Sequence, residues 1–143
     1  MTWVLDASAA LGLVMGDGDE RLSGEVSRRL QQEPAVAPQH WVLEVNNGLL
    51  VVTRRGRLPH GAAIRAQQLL LELPIAIDAD TATRCWGSTF ELAQRFELSI
   101  YDAAYLEIAL RHGAGLATAD KALARAAASA GVSLIGQDAA GNA

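Results

Sequence analysis

Apolar residues along the chain follow two alternating patterns: short continuous runs, and longer stretches in which they recur every three or four positions. The short runs predict buried strands over residues 3–5, 35–37, 75–77, 116–118 and 132–135. The repeating stretches predict helices over residues 7–15, 19–33, 38–55, 58–73, 100–112 and 120–130. Because strands alternate with helices, we expect an α/β fold with a mostly parallel sheet between helical layers.

A further helix is predicted after the third strand, with Asp78 or Asp80 as its cap. Its apolar positions recur at helical spacing and form one stripe, made of Ala82, Trp86, Phe90 and Ala93. We interpret this stripe as a core or interface surface. We interpret both aspartates as helix caps rather than as metal ligands.

Length and composition fit a single domain. The chain has 143 residues, of which half are hydrophobic and a fifth are charged, and this is enough to bury a core. No linker or repeat interrupts the pattern, so we expect one domain over residues 1–135. Residues 136–143 are small and polar and predict a flexible C-terminal tail.

The formal net charge is −4, from 12 basic and 16 acidic residues. This balance argues against a general nucleic-acid coat protein, but not against an enzyme whose acids surround a metal. Cys85 is the only cysteine, which fits a reducing compartment, and we interpret it as a buried apolar side chain. The apolar segment 1–14 contains Asp6 and has no basic start, so we do not expect it to be a signal peptide, and no apolar run has the length of a membrane span. We therefore expect a cytoplasmic protein.

Four acidic side chains are predicted to meet at one edge of the sheet. Asp6 and Asp120 each follow the carboxyl end of a predicted strand, and Asp102 lies in the first turn of a predicted helix. In a parallel α/β sheet, strand ends and the helix starts that follow them share the edge where ligands bind. Glu44 lies about two turns into its predicted helix, so it joins the others only if that helix leans over this edge.

Acids gathered in this way need a compensating positive charge. Like charges within about 4–6 Å raise each other's pKa, whereas a helix N-terminus offsets only about 0.3–1 kcal/mol. Carboxylate oxygens suit Mg²⁺ or Mn²⁺, and the sequence has no histidine or cysteine cluster for a softer metal. One or two such ions can orient a water and stabilise the leaving oxygen of a phosphodiester. Ser8 and Thr118 flank the acids and are auxiliary candidates for binding water or a phosphate oxygen.

Basic residues concentrate in two segments that are free of acids. No acidic residue lies between Glu44 and Glu72, and none lies between Asp120 and Asp138. A phosphate backbone needs such local positive charge, so the basic residues there are candidate RNA contacts: Arg54, Arg55, Arg57, Arg65, Lys121 and Arg125. A solvated helix end is an alternative explanation for the arginines at 54–57.

Four segments resemble the motifs of PIN-domain nucleases in order and spacing. They surround the four acids and cover residues 4–11, 41–49, 98–106 and 116–123. The third segment, LSIYDAAYL around Asp102, is the most specific. The resemblance extends over nearly the whole chain, and within PIN domains it is closest to the VapC toxins of bacterial toxin–antitoxin pairs.

This resemblance implies a three-layer α/β/α fold and Mg²⁺- or Mn²⁺-dependent endoribonuclease activity. It implies that Asp6, Glu44 and Asp102 bind metal and that Asp120 completes the catalytic site. It also implies a cognate antitoxin that blocks the active site, and a homodimer or a toxin–antitoxin hetero-oligomer. All four acids are present, so nothing in the motifs indicates an inactive member.

Other functions stay open at the level of sequence. An RNA-processing PIN nuclease without an antitoxin has the same motifs, and a non-catalytic module that binds RNA or protein is a second alternative. An aspartyl-phosphate enzyme fits less well, because such phosphatases usually have a second aspartate two residues after the first, where this chain has Ser8.

Individual site residues also have structural explanations. The three aspartates of the predicted site are each suited to cap a helix, and a helical glutamate such as Glu44 is usually solvated. We interpret Tyr101 and Tyr105, which flank Asp102, as packing residues. None of the three histidines has a spacing that suggests metal binding or acid–base work.

Overall fold

The computed structural model describes residues 2–137, except for the side chain of His60, and within them it contains four strands and eight helices. In chain order these are β1 (Trp3–Leu5), α1 (Ala7–Met15), α2 (Glu20–Leu30), β2 (Ala35–Ala37), α3 (Trp41–Arg54), α4 (His60–Glu72), β3 (Ile75–Ile77), α5 (Thr81–Cys85), α6 (Ser88–Phe96), α7 (Ile100–His112), β4 (Gly115–Ala117) and α8 (Lys121–Ser129). The strands are parallel in the order β3-β2-β1-β4. This confirms the predicted α/β fold with a parallel sheet between helical layers.

The central strand of the sheet is β1, and all three of its residues are fully buried. It pairs with β2 through Val4 and Val36, and with β4 along its whole length. A strand with neighbours on both sides and helices on both faces must be apolar throughout, which explains its continuous apolar run. Because the strands are parallel, their carboxyl ends form one edge, with the end of β1 in its interior.

Polar side chains cap four of the described helices, and Asp19 on α2 is one of them. Asp6 caps α1, Ser99 caps α7 and Asp120 caps α8, each by accepting a hydrogen bond from the backbone N–H three residues later. Such a bond satisfies one of the N–H groups that have no partner within the helix.

Helix α3 begins later than the sequence predicts. The carbonyl of Pro38 accepts a hydrogen bond from the N–H of Trp41 at 3.0 Å, so residues 38–40 form a separate turn. His40 occupies the N-cap position. Glu44 therefore lies in the first turn of α3, and the prediction that it lies two turns into the helix was wrong.

The single helix predicted after β3 is two helices in the structure, because the helical conformation is interrupted at Trp86 and Gly87. Gly87 has φ −144° and ψ −103°, which interrupts the helical hydrogen bonding between α5 and α6. Trp86 is 93% exposed and Phe90 is 54% exposed, so neither belongs to the core, and of the predicted core or interface surface only the interface alternative stays a prediction for them. Cys85 is free and only partly buried.

The two predicted cap residues of α5 differ in their positions and contacts. Asp80 occupies the N-cap position without a side-chain capping bond. The buried Asp78 instead pairs with Arg111 at 2.9 Å, and Glu107, one turn earlier on α7, contacts the same guanidinium at 2.8 Å. This ion-pair network connects the end of β3 to α7. The cap interpretation was therefore wrong for Asp78, whereas Asp80 lies at the predicted cap position.

The strand predicted over residues 132–135 is reduced to a single β-bridge between Leu134 and Leu116. Two backbone hydrogen bonds of 2.9 Å join Leu116 to this segment. The chain then turns at Gly136, whose φ of 85° lies in the left-handed region. The pairing is too short to form a fifth strand.

Gly136 packs against α2. A Cβ at this position would lie 3.1 Å from the Cα of Leu22, so the turn favours glycine for space as well as for its φ. The single domain over 1–135 and the flexible tail over 136–143 stay predictions, and residues 138–143 lie outside the described residues. In residues 2–137 no helix combines the length and apolar character needed to cross a bilayer.

Candidate active site

The most buried acid of the candidate site is Asp6, at the end of β1. It is only 3% exposed, and three donors hold its carboxylate. Oδ1 accepts hydrogen bonds from the Ser8 hydroxyl at 2.8 Å and from the N–H of Ala9 at 2.9 Å. Oδ2 accepts from the Thr118 hydroxyl. These contacts fix the carboxylate without supplying a formal positive charge.

Ser8 and Thr118 join the ends of β1 and β4. The Ser8 hydroxyl oxygen accepts from the N–H of Ala119 at 2.9 Å, and that of Thr118 accepts from the N–H of Asp120 at 3.0 Å. Both hydroxyls also donate to Asp6. The two predicted auxiliary residues therefore lie beside the acids, where they orient Asp6 and the loop after β4.

Asp102 and Asp120 lie at the starts of α7 and α8. Asp102 is half-buried in the first turn of α7, and its backbone N–H donates to the cap Ser99 at 3.1 Å. Its own carboxylate is not used as the cap. In contrast, Oδ1 of Asp120 accepts from the N–H of Leu123 at 2.9 Å. The cap interpretation thus holds for Asp120, and for Asp6 on α1, but not for Asp102.

Glu44 reaches the site from the first turn of α3, with its side chain 31% exposed. Oε1 accepts a hydrogen bond from the hydroxyl of Tyr105 at 2.7 Å. The same oxygen lies 3.4 Å from Nε2 of His40. That nitrogen also lies 3.1 Å from the carbonyl oxygen of Tyr101, so α3 and α7 are connected around Glu44.

The four acids influence one another electrostatically. Burial raises the pKa of Asp6 to about 6 against its hydrogen bonds, and the charge of Asp102 adds to the rise. Burial likewise raises the pKa of Asp102, followed by the charges of Asp120 and Glu44. Asp102 is therefore coupled to each of the other three carboxylates. Burial and the bond to Glu44 also raise the pKa of Tyr105, which keeps its hydroxyl protonated as a donor.

Comparison with known protein families shows which family this chain is similar to. The PIN domain family matches residues 3–129, which is most of the chain. The chain belongs to the PIN domain family. The family predicted from the sequence motifs is thereby confirmed, and it supports nuclease activity.

Two solved structures share the fold of this PIN domain. PAE2754 from Pyrobaculum aerophilum has a TM-score of 0.65 and 21% identity, covering 88% of this chain and 84% of its own. VapC20 (Rv2549c) from Mycobacterium tuberculosis, described as a Sarcin-Ricin loop cleaving toxin, has a TM-score of 0.56 and 22% identity, covering 88% and 95%. At these identities the likeness concerns the fold alone. Among curated proteins, none matches this chain.

The acids of this PIN domain suit a hard divalent ion, on which PIN domains generally depend. Their oxygens are hard donors, and burial together with neighbouring negative charge raises the pKa of Asp6 and of Asp102, so the charge of these two carboxylates is not fully compensated. In residues 2–137, no three His, Cys, Asp or Glu side chains form a ready-made cage for an ion. Mg²⁺ commonly takes only one or two carboxylates directly and completes its shell with water and substrate phosphates. An open group of acids such as this one fits that habit.

The predicted RNA contacts fall into two groups, all of them exposed. Lys121 directly follows Asp120, and Arg125 lies one turn further along α8. The second group surrounds the connection between α3 and α4, and we call it the hairpin arginines: Arg54, Arg55, Arg57 and Arg65. Arg54 lies ten residues after Glu44 on α3, which is about 15 Å along the axis. Arg54 and Arg55 therefore lie well away from Glu44 along α3.

Reasoning from sequence missed the contacts that Tyr105 and His40 make with Glu44. Tyr105 is buried as predicted, but its hydroxyl reaches the site. Helical spacing carried part of this signal, because Tyr105 lies one turn after Asp102 and His40 lies four residues before Glu44. Spacing does not show that α7 and α3 meet, and this meeting produces the contact.

An apolar groove of about 350 Å³ begins at the first turn of α3 and runs between α3, α4 and β3. Its rim includes Leu71, which is 85% exposed. The remaining lining residues are Trp41, Val42, Val45, Asn46, Gln67, Gln68, Leu70, Leu73, Ile75 and Ile77. Contiguous apolar surface of this kind marks interaction sites in many soluble proteins.

Proposed function

We propose that this PIN domain is a Mg²⁺- or Mn²⁺-dependent endoribonuclease, and that it acts in the cytoplasm as the toxin of a toxin–antitoxin pair. The observation that carries the proposal is the position of Asp102. Burial raises its pKa first, the charges of Asp120 and Glu44 raise it further, and its own charge adds to the rise that burial causes at Asp6. Acids from four separate parts of the chain thus share one field at the carboxyl edge of the sheet, where a bound cation would relieve their repulsion.

In this proposal the residues of the chain have two tasks: some hold the divalent ion, and others orient its ligands. Asp6, Glu44, Asp102 and Asp120 would hold the ion, directly or through its bound water, and Ser8 and Thr118 keep Asp6 in one orientation. A bound divalent ion supplies Lewis-acid activation of water and stabilises charge on the phosphodiester.

RNA is the proposed substrate because of the motifs and the distribution of charge. The four motif segments resemble those of VapC toxins, and VapC20 is described as a Sarcin-Ricin loop cleaving toxin. Lys121 is exposed immediately beside Asp120, in a position to contact a phosphate next to the cleaved bond. The hairpin arginines provide a second positive surface for a longer stretch of RNA.

The proposed partner is a cognate antitoxin, in a homodimer or a toxin–antitoxin hetero-oligomer. The apolar groove between α3, α4 and β3 supports a protein partner. We expect a small neighbouring gene whose product co-purifies with this chain and inhibits its cleavage. If the protein cleaves RNA but no neighbouring gene encodes such an inhibitor, an RNA-processing nuclease without an antitoxin would be favoured instead.

The purified protein is expected to cleave a mixed pool of structured RNA in Mg²⁺ or Mn²⁺ and to stop in EDTA. The reason is that the acids alone provide no group to stabilise charge on the phosphate. Fragment analysis on denaturing gels measures this result, and restoring excess Mn²⁺ after EDTA should restore cutting. Undiminished cleavage in EDTA would contradict the proposed chemistry.

Absence of cleavage under every condition would call for a second measurement, the thermal stability with and without Mn²⁺. A rise in Tm with Mn²⁺ would retain the metal site and indicate a narrow RNA target. An unchanged Tm would favour the alternative of a module that only binds RNA or protein.

Replacing Arg54 and Arg55 by glutamine is expected to weaken RNA binding without altering the cut. For each phosphate that the variant no longer neutralises, the slope of log affinity against log salt should fall by about 0.7–0.9. Filter binding over a range of salt concentrations measures the slope, with the exposed Arg84→Gln on α5 as the matched control. An unchanged slope in the double variant would show that Arg54 and Arg55 do not contact RNA and are only part of a solvated helix end.

A further inference from the structure

We infer that Tyr105 is a positioning residue for the metal site, whose hydroxyl holds one oxygen of Glu44 and leaves the other for the ion. The inference rests on the proposed function. It starts from the 2.7 Å hydrogen bond between the Tyr105 hydroxyl and Oε1 of Glu44. These residues are 61 positions apart in the chain, so the bond is a product of the fold.

The surroundings make this bond directional. Tyr105 is 1% exposed, so packing fixes its ring. The position of the hydroxyl is fixed with the ring, and it donates to Glu44. Its ring lies edge-on to the ring of His40, with centroids 5.6 Å apart. Nε2 of His40 approaches the same Oε1 at 3.4 Å. Both contacts of Glu44 thus fall on Oε1, and Oε2 is the oxygen left for the ion.

A tyrosine suits this task because its hydroxyl is a neutral donor. It orients the carboxylate but does not cancel the negative charge that attracts a cation. The chain shows the opposite arrangement at Asp78, where the Arg111 guanidinium lies within 2.9 Å and lowers the pKa of the carboxyl. A carboxylate held in that way is compensated, whereas Glu44 is oriented and still available.

Orientation matters for Glu44 more than for the aspartates of the site. A glutamate side chain has one more rotatable bond than an aspartate, and ordering it costs conformational entropy when the ion binds. Asp6 is held by its buried position and three donors. Glu44 is partly exposed, and the bond from Tyr105 gives it comparable order before the ion arrives.

The experiment is direct titration of Mn²⁺ into the protein without RNA, measured by isothermal calorimetry. Tyr105→Phe keeps the buried ring and removes only the hydroxyl, and we expect its Kd for Mn²⁺ to rise about 10-fold. Tyr101→Phe is the matched control, because this tyrosine is 58% exposed on the same helix, and its Kd should stay at the wild-type value. Circular dichroism and Tm establish that both variants are folded.

A double-mutant cycle separates positioning from general packing. If Tyr105 acts through Glu44, the Tyr105→Phe change should have no further effect on the Kd in a Glu44→Gln background. Equal losses in both backgrounds, or a wild-type Kd in Tyr105→Phe, would overturn the inference while leaving the proposed function intact. If the wild-type protein bound no Mn²⁺ at all, the proposed function would fail, and this inference with it.

Discussion

Asp102→Asn is expected to abolish RNA cleavage while the protein stays folded. Asp102 is coupled to the other three acids, and its carboxylate is not used to cap α7, because Ser99 does that. Asparagine keeps the size of the side chain and removes the charge. A bound ion stabilises the transition state by several kcal/mol, and each 1.36 kcal/mol is tenfold in rate, so we expect a loss of about 10³-fold or more.

The measurement is the initial rate of cleavage at saturating Mg²⁺, compared with wild type and with Asp17→Asn. Asp17 is an exposed residue after the end of α1 that is opposite to Asp6, and its substitution should leave the rate unchanged. Wild-type activity in Asp102→Asn would remove this carboxylate from the site. An equal loss in Asp17→Asn would show that the assay reports some general effect of charge.

The sheet and the edge that carries the acids could be predicted because both depend on local patterns. The three apolar residues of β1 indicate a buried strand in any context, and Asp6 follows them directly. The parallel order of the strands then brings Asp6 and Asp120 to one edge. Asp102 follows for the same reason, since its helix begins there.

Contacts between distant residues were beyond the reach of such patterns. Asp78 resembles a helix cap in the sequence, but the fold places Arg111 against it from 33 positions away. The position of Glu44 was misjudged because the turn at residues 38–40 continues a helical pattern without being part of α3. The sequence indicates a core residue at Tyr105, the partner of Glu44, and its ring is indeed buried. Its hydroxyl contacts Glu44 only because α3 and α7 meet in the fold, which the sequence pattern does not show.

Asp6→Asn is expected to stabilise the metal-free protein at neutral pH, even as it removes activity. The folded protein raises the pKa of Asp6 from its ordinary 3.8 to about 6, mainly by burial. The folded state therefore holds this proton more tightly than the unfolded state does. Ionising Asp6 above pH 6 costs the folded state about 3 kcal/mol, which a neutral asparagine avoids.

The sign of this effect fixes its dependence on pH. Well below pH 3.8 the carboxyl is protonated in both states, so Asp6 imposes no penalty on folding there. As pH rises from 3.8 through about 6, the unfolded state ionises first and the wild-type protein loses stability. Urea unfolding in EDTA at pH 4.5 and 7.5 should therefore show the advantage of Asp6→Asn growing with pH.

Asp78→Asn provides a control of opposite sign, because Asp78 is also buried but is paired with a guanidinium. Burial alone would raise its pKa, yet the hydrogen bonds and charge of Arg111 more than offset this and lower it. Its removal should destabilise the protein at neutral pH. Addition of Mn²⁺ should then raise the Tm of wild type and of Asp78→Asn, but much less that of Asp6→Asn. A metal-free Asp6→Asn protein less stable than wild type at pH 7.5 would show that hydrogen bonding to the carboxylate outweighs its burial.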